Sequence, residues 1–226
     1  MSVRSKRVGL VMVVAFGLAV GAAIVWQAAG RPVEARGVET KDGSMKGGLA
    51  EPGTYKIDSR HSFAYFGARH HVVGLVRGRF DQVAGTIVSS RVPAECIVDV
   101  TIQVASLSTQ VAERDEDIRG ADYFDAKKFP EMTYRGKGIR RGADGMWVMD
   151  GSLTMHGVTR VVPLTFAFNG VFKPKEAGKP VRAAFHGTAG VKRAEFGMGA
   201  RDNLDELGKR TDADVAIEID VEADSQ

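Results

Sequence analysis

Cys96-Ile-Val-Asp-Val-Thr-Ile-Gln-Val-Ala105 alternates without a break. Cys96, Val98, Val100, Ile102 and Val104 share one side, and Ile97, Asp99, Thr101, Gln103 and Ala105 share the other. A period of two is the geometry of a strand with one dry and one wet face. The same period recurs along the chain. Val215, Ile217, Ile219 and Val221 alternate with Ala216, Glu218, Asp220 and Glu222, and Trp147, Met149, Leu153 and Met155 alternate with Val148, Asp150, Ser152 and Thr154. Val158, Val162, Leu164, Phe166 and Phe168 form another such face, and runs near 54–58, 61–68, 72–80, 82–88, 132–139 and 181–191 fit as well. Strands at short intervals, with glycines at 78, 85, 142, 145, 151, 157, 170 and 187 as turn signals, describe an all-β antiparallel barrel or sandwich. The pattern alone leaves both architectures open.

Directly after the opening strand comes Ser-Leu-Ser-Thr-Gln-Val-Ala-Glu-Arg-Asp-Glu-Asp-Ile-Arg-Gly-Ala-Asp-Tyr-Phe-Asp-Ala-Lys-Lys-Phe-Pro, residues 106–130. It breaks the period of two and reads as a short charged helix over about 110–119. Thr109 is placed to cap it and Gly120 to end it. Its charges can be a solvated helix face, where each surface ion pair is worth only about 0–1 kcal/mol. A lone helix in a β protein can equally cover the end of a barrel.

Within this block, Ser106, Thr109, Arg114, Asp115, Arg119, Asp122, Phe124, Phe129 and Pro130 stand at the spacing of a known family. Tyr55-Lys-Ile-Asp58 with His61-Ser62-Phe63, Gly78-Arg-Phe80 with Gly85, Gly151-Ser-Leu-Thr-Met-His-Gly-Val-Thr159 and Arg193-Ala-Glu-Phe-Gly-Met198 extend the match from about residue 55 to 223. The chain resembles the YceI-like family, the lipocalin-like polyisoprenoid-binding barrels of bacterial envelopes. The resemblance implies an eight-stranded antiparallel barrel with one short capping helix, enclosing a long apolar pore for one isoprenoid chain. It also places the helical block at a barrel end, where Arg114, Asp115 and Arg119 would fix a cap. His61 and His70 match family positions and would stand at the rim.

The N-terminus speaks to compartment. Arg4, Lys6 and Arg7 precede an uncharged run from Val8 to Gly30, densest over the nineteen residues Val8–Trp26. A basic stretch before an apolar run is an export signal, and nineteen residues is also long enough to span a bilayer. Residues 1–30 are therefore read as a signal peptide or signal anchor, with the cytoplasmic membrane as partner in the second case. The domain that follows would lie in the periplasm or on the extracytoplasmic face. Residues 31–50, glycine-rich and charged without a period, read as a flexible linker, and 51–226 as one β-barrel domain.

Charge excludes one class of function. The whole chain has 31 basic and 28 acidic residues; without Arg4, Lys6 and Arg7 the balance is 28 to 28, and from Glu51 onward it is 24 to 25. No basic surplus remains for phosphate backbones, so nucleic acid is not an expected partner. Cys96 is the single cysteine, so no intramolecular disulfide forms, and its place in the alternation marks a buried strand thiol.

The chemistry-bearing residues do not fall into a catalytic pattern. Asp58, His61 and Ser62 invite a hydrolase reading, but neighbours on a strand point to opposite faces, and no Gly-x-Ser-x-Gly elbow is present. His61, His70 and His186 lack ligand-like spacing. No catalytic residue, cofactor or metal is expected.

The dry faces mix Phe63, Tyr65, Trp147, Met149, Phe166, Phe168 and Phe185 with Gly151, Ala183 and Gly187. Large beside small can leave a channel or interdigitate into a solid core. With the channel that the resemblance implies, the ligand-binding residues are Phe63, Tyr65, Val98, Val100, Ile102, Trp147, Leu153, Phe166, Phe168 and Phe185. The expected function is non-catalytic binding of a polyisoprenoid or isoprenoid-quinone lipid. Two other readings stand beside it: an enzyme acting on a lipid or quinone through His61 and His70, and a packed structural barrel that offers a surface to a partner. The sequence names no protein partner.

Overall fold

Residues 152–161 show how the sheet is built. Met155 and Val158 pair across a two-residue turn, in which His156 and Gly157 both have positive φ, 50° and 73°. This is a turn whose twist matches that of the strands it joins. Glycine takes the second position without strain, and the Phe129 ring fills the space where a Cβ would stand, 2.5 Å from it. The hairpin joins β9, Trp147–Met155, to β10, Val158–Phe172.

The structure is a computed structural model and describes residues 48–70, 74–199 and 211–226, with side chains except at 211–213. The segment read as signal peptide or anchor, most of the linker, and His71 lie outside the described residues. No helix among the described residues is long and apolar enough to cross a membrane. Leu49 and Ala50, read as the end of the linker, pack against the barrel, and the Ala50 carbonyl accepts the Ser89 hydroxyl at 2.6 Å.

The remaining strands are β1 Gly53–Ile57, β2 Phe63–His70, β3 Gly74–Phe80, β4 Val83–Ser89, β5 Ile97–Gln103, β6 Leu107–Ser108, β7 Glu131–Lys137, β8 Arg140–Arg141, β11 Arg182–Lys192 and β12 Thr211–Ser225. One helix, α1, spans Ala112–Arg119. All pairings are antiparallel, and the sheet closes because β12 pairs with β2 along its first half and with β1 along its last residues. The segments merge into eight staves. β1 and β2 line up along β12 as one interrupted stave, β3 and β4 pair with them as the next, and β5 and β6 follow as the third. β7, β9, β10, β11 and β12 complete the ring, with β8 a short addition beside β9. The eight-stranded antiparallel barrel expected from the sequence is the observed fold.

Two expectations about local structure are corrected. Thr109 does not cap α1: Val111 is the N-cap and makes no side-chain cap bond, while Thr109 donates both its N–H and its hydroxyl to the Asp115 carboxylate. Glycines 78, 85, 151, 170 and 187, read as turn signals, lie inside strands. Their use at 78 and 151 is close approach. A Cβ on Gly78 would meet the Phe66 ring at 2.3 Å, and one on Gly151 would meet the Tyr134 ring at 2.3 Å.

Three packed clusters line the inside. The largest, with Phe80, Val83, Leu107, Met132, Met155 and Phe196, receives Ile118, Tyr123 and Phe124 from α1 and the segment after it. The other two lie toward the opposite end. One joins Tyr55, Ile57, Ala183, Val221 and Ala223, and the other joins Cys96, Ile139, Trp147 and Met149. Cys96 is buried, as its alternation suggested.

Candidate functional site

The staves are long and the inward residues at mid-height are small or slender, so the core does not fill. Gly187 and Ala189 on β11 stand opposite Ile219 and Ile217 on β12, and Ala64 and Phe66 on β2 complete the row. The result is a cavity of about 1070 Å³. Its wall runs from Phe80, Met132 and Met155 near α1, past Val100, Leu153 and Phe166, to Val98, Met149 and Cys96 at the far end. Its arginine and carboxylate neighbours are Arg114, Glu116 and Asp117 on the helix, Asp122 just after it, and Arg193 on the 3-10 turn Arg193–Phe196, and His70 and His186 border it as well.

Of the ten residues read as ligand-binding, Val98, Val100, Ile102, Leu153, Phe166 and Phe185 border this cavity in phase with the inward face. Tyr65 borders it too, although its strand phase is that of Phe63. Three sit elsewhere. Phe63 lies on the outer side, 6.1 Å from the Tyr65 ring and with the Arg79 guanidinium 5.1 Å over its face. The phase of β2 is set by its partner: Ile219 and Ile217 face Ala64 and Phe66, which puts Phe63 outside. Trp147 packs in the end cluster, its indole N–H on the Gly48 carbonyl at 3.1 Å and Arg141 stacked 3.8 Å over its ring. Phe168 stacks on Phe185 at 5.5 Å and packs with the Tyr55–Ala183 cluster, just before the bulge between Phe168 and Gly170.

The rim and cap residues separate as well. His70 and Arg114 border the cavity. Asp115 is buried, 6% exposed, and anchors α1 by accepting from Thr109, whose hydroxyl oxygen also accepts from Arg114 Nε at 2.8 Å. Arg119 donates to the Leu107 carbonyl. His61 is not at the pore. It lies before β2 at the opposite end of that strand from His70, half exposed, with Nδ1 2.8 Å from Asp58. Asp58 in turn takes Arg182 Nη2 at 2.9 Å, and Arg182 spreads its other N–H groups over Glu222 and Asp224. Hydrogen bonds from His61 first, then from Arg60, hold the Asp58 carboxyl far below the usual carboxylate range. Ser62 is buried and bonds the Glu222 backbone. The structure therefore does not bring His61 and His70 together. His186 borders the cavity and has Asp220 2.8 Å from its Nδ1; with Glu218 the two form a group whose ligand atoms lie within 4.8 Å of one another.

Tyr134 is a cavity residue that the alternation did not single out. Its ring occupies the space above Gly151, and its hydroxyl sits 3.0 Å from the Met149 and Val162 carbonyls while accepting the Gly151 N–H. Burial pushes the phenol up to about 12. The signal was Gly151 itself, a glycine in mid-strand that makes room for a cross-strand aromatic. Arg193, a cation only 4% exposed, was also missed as a cavity residue.

Residues 55–223 match the model of the YceI-like domain. The chain belongs to the YceI-like family. A UPF0312 protein of Photorhabdus laumondii is 34% identical over 170 residues, 74% of this chain and 84% of that one. A UPF0312 protein of Pseudomonas putida is 32% identical over 157 residues, 68% of this chain and 81% of the relative. Among solved structures, the Campylobacter jejuni YceI protein superposes with a TM-score of 0.57 at 30% identity, covering 67% of this chain and 85% of its own. A polyisoprenoid binding domain from Saccharophagus degradans shares the fold, with a TM-score of 0.57 at 17% identity over 76% of this chain and 98% of its own.

Proposed function

We propose that this YceI-like barrel binds and sequesters or carries one polyisoprenoid or isoprenoid-quinone lipid outside the cytoplasmic membrane, without making or breaking a bond. The observation that carries the reading is the cavity: about 1070 Å³, walled by apolar side chains over most of its length. That volume is at the upper end of ordinary small-molecule sites. Each buried CH₂ contributes about 0.8 kcal/mol, so a slim apolar chain is the ligand that uses such a wall best. The Saccharophagus degradans domain, described as polyisoprenoid binding, has the same fold and supports the chain's chemical class. The basic stretch and apolar run at 4–30 support export, as a cleaved signal or as an anchor.

The test is organic extraction and mass spectrometry of the full chain purified from its native membrane. A stoichiometric prenyl lipid that survives incubation unchanged is the expected result. Recovery of no lipid, or conversion of the lipid by the protein, overturns the proposal.

A further inference from the structure

Three side chains of the kinds that ligate metals converge where β11 meets β12. His186 on β11 stands directly across from Asp220 on β12, with Nδ1 2.8 Å from the carboxylate. Glu218 lies two positions before Asp220, which puts it on the same face of that strand. One ligand atom from each of the three lies within 4.8 Å of the other two, and all three residues are partly buried. Aromatic residues flank the group on one side, since Phe63 of β2 pairs with Asp220 and Tyr65 with Glu218. On the other side the small Ala167 of β10 pairs with His186. In sequence His186 is 34 positions from Asp220, so no short motif announces the group; the register of β11 with β12 assembles it.

Further along β12 the acidic groups are committed, because Glu222 and Asp224 both take Arg182. Among the described residues no lysine or arginine pairs with Glu218 or Asp220, and the ion-pair partner of Asp220 is His186. Donors about 2.0–2.2 Å from one tetrahedral zinc ion lie about 3.4 Å apart. The His186–Asp220 pair is already closer than that, and the long side chain of Glu218 can turn to close the remainder. A metal ion takes the place of the proton that joins His186 Nδ1 to Asp220. The donor set also selects the metal. One imidazole nitrogen with two carboxylate oxygens suits zinc and its transition-metal neighbours. Calcium takes about six to eight oxygens, and magnesium holds to an octahedron of oxygens.

We infer that His186, Glu218 and Asp220 bind one divalent transition-metal ion of the zinc class on the β11–β12 wall, with at least one coordination position left to water. The inference does not depend on what fills the cavity, which of the three residues only His186 borders. Bound there, the ion bridges β11 and β12. It stabilises the folded barrel, because the unfolded chain does not hold the three ligands together.

Isothermal titration calorimetry of the full chain in detergent, carrying no affinity tag, tests it with zinc chloride. One zinc ion per chain is expected to bind, with calcium and magnesium giving no binding heat at the same concentration. His186→Ala and Glu218→Gln should each weaken zinc binding by roughly ten-fold or more, since even an outer-shell partner is worth that much. His61→Ala should leave it unchanged. Zinc should raise the melting temperature of the unaltered protein and of neither site variant. Cobalt in place of zinc should give visible absorption bands that His186→Ala alters or abolishes. No zinc uptake by the unaltered protein, or uptake that both site variants retain in full, overturns the inference. Uptake that His61→Ala abolishes overturns it as well, by placing the ion elsewhere. Glu218→Gln changes charge without changing shape, so the result can be read even if His186→Ala fails to fold.

Discussion

Tyr134 and Gly151 act as a pair, since the ring stands where a side chain on residue 151 would be and the hydroxyl bonds the residue 151 N–H. Tyr134→Phe keeps the ring but removes the hydroxyl that accepts that N–H and donates to one of the Met149 and Val162 carbonyls, so a loss of about 0.5–1.5 kcal/mol is expected in urea unfolding, with lipid uptake retained. An unchanged midpoint would show that the hydroxyl is dispensable. Ala189→Trp should do the reverse. Its side chain borders the cavity, so an indole there occupies the channel, and a folded protein with at least ten-fold weaker uptake of a four-isoprene prenol is expected by native mass spectrometry. Undiminished uptake would place the ligand elsewhere. At this scale the sequence was legible where one face of a strand is dry: Val98, Val100, Ile102, Leu153 and Phe166 were all read inward and are. It was not legible in β2, where aromatics occupy both phases and the register with β12 makes the choice. A shift of one residue flips every side chain.

The helix α1 is an element whose existence follows from its charge pattern but whose attachment does not. Glu113 and Asp115 stand in its first turn and Arg119 in its last, each favourable to the helix dipole. Attachment comes from Asp115, which folds back on Thr109, and from Arg119, which reaches the Leu107 carbonyl on the neighbouring strand β6. Sequence reasoning took Thr109 for a helix cap because the residue type fits; the carboxylate six positions on competes for the same groups. Asp115→Asn should cost about 1–3 kcal/mol, the usual effect of losing a charge-assisted buried bond. Hydrogen–deuterium exchange is expected to rise over 109–124 while β9, β10 and β11 stay protected. Uniform loss of protection across the barrel would mean that α1 is part of the barrel's cooperative unit and not a separable cover.

Across the molecule, Arg182 gathers Asp58, Glu222 and Asp224 and so ties the turn after β1 to β11 and β12. The depressed Asp58 carboxyl gives this clasp a pH dependence. In the unfolded chain an aspartate takes up its proton near pH 4, whereas in the folded protein it does so only at lower pH. The stabilisation is complete above about pH 4 and is lost as pH falls below it, because the unfolded state then binds more protons. Melting temperature measured from pH 7 to pH 2 should drop more steeply below pH 4 in the parent than in Asp58→Asn; parallel curves would show that the clasp carries no acid sensitivity. The all-β barrel was legible as a period of two with frequent turns, but its closure was not, since that depends on which strands meet across the length of the chain. Tyr55 faces Ser225, 170 positions later. That pairing has a temporal meaning. A ribosome makes β1 before β12, so the ring stays open, with unpaired edges exposed, until β12 is available. Such long-range pairing is also slow to form. The closing step of this fold therefore waits on β12, and whatever sheet forms before it has open edges.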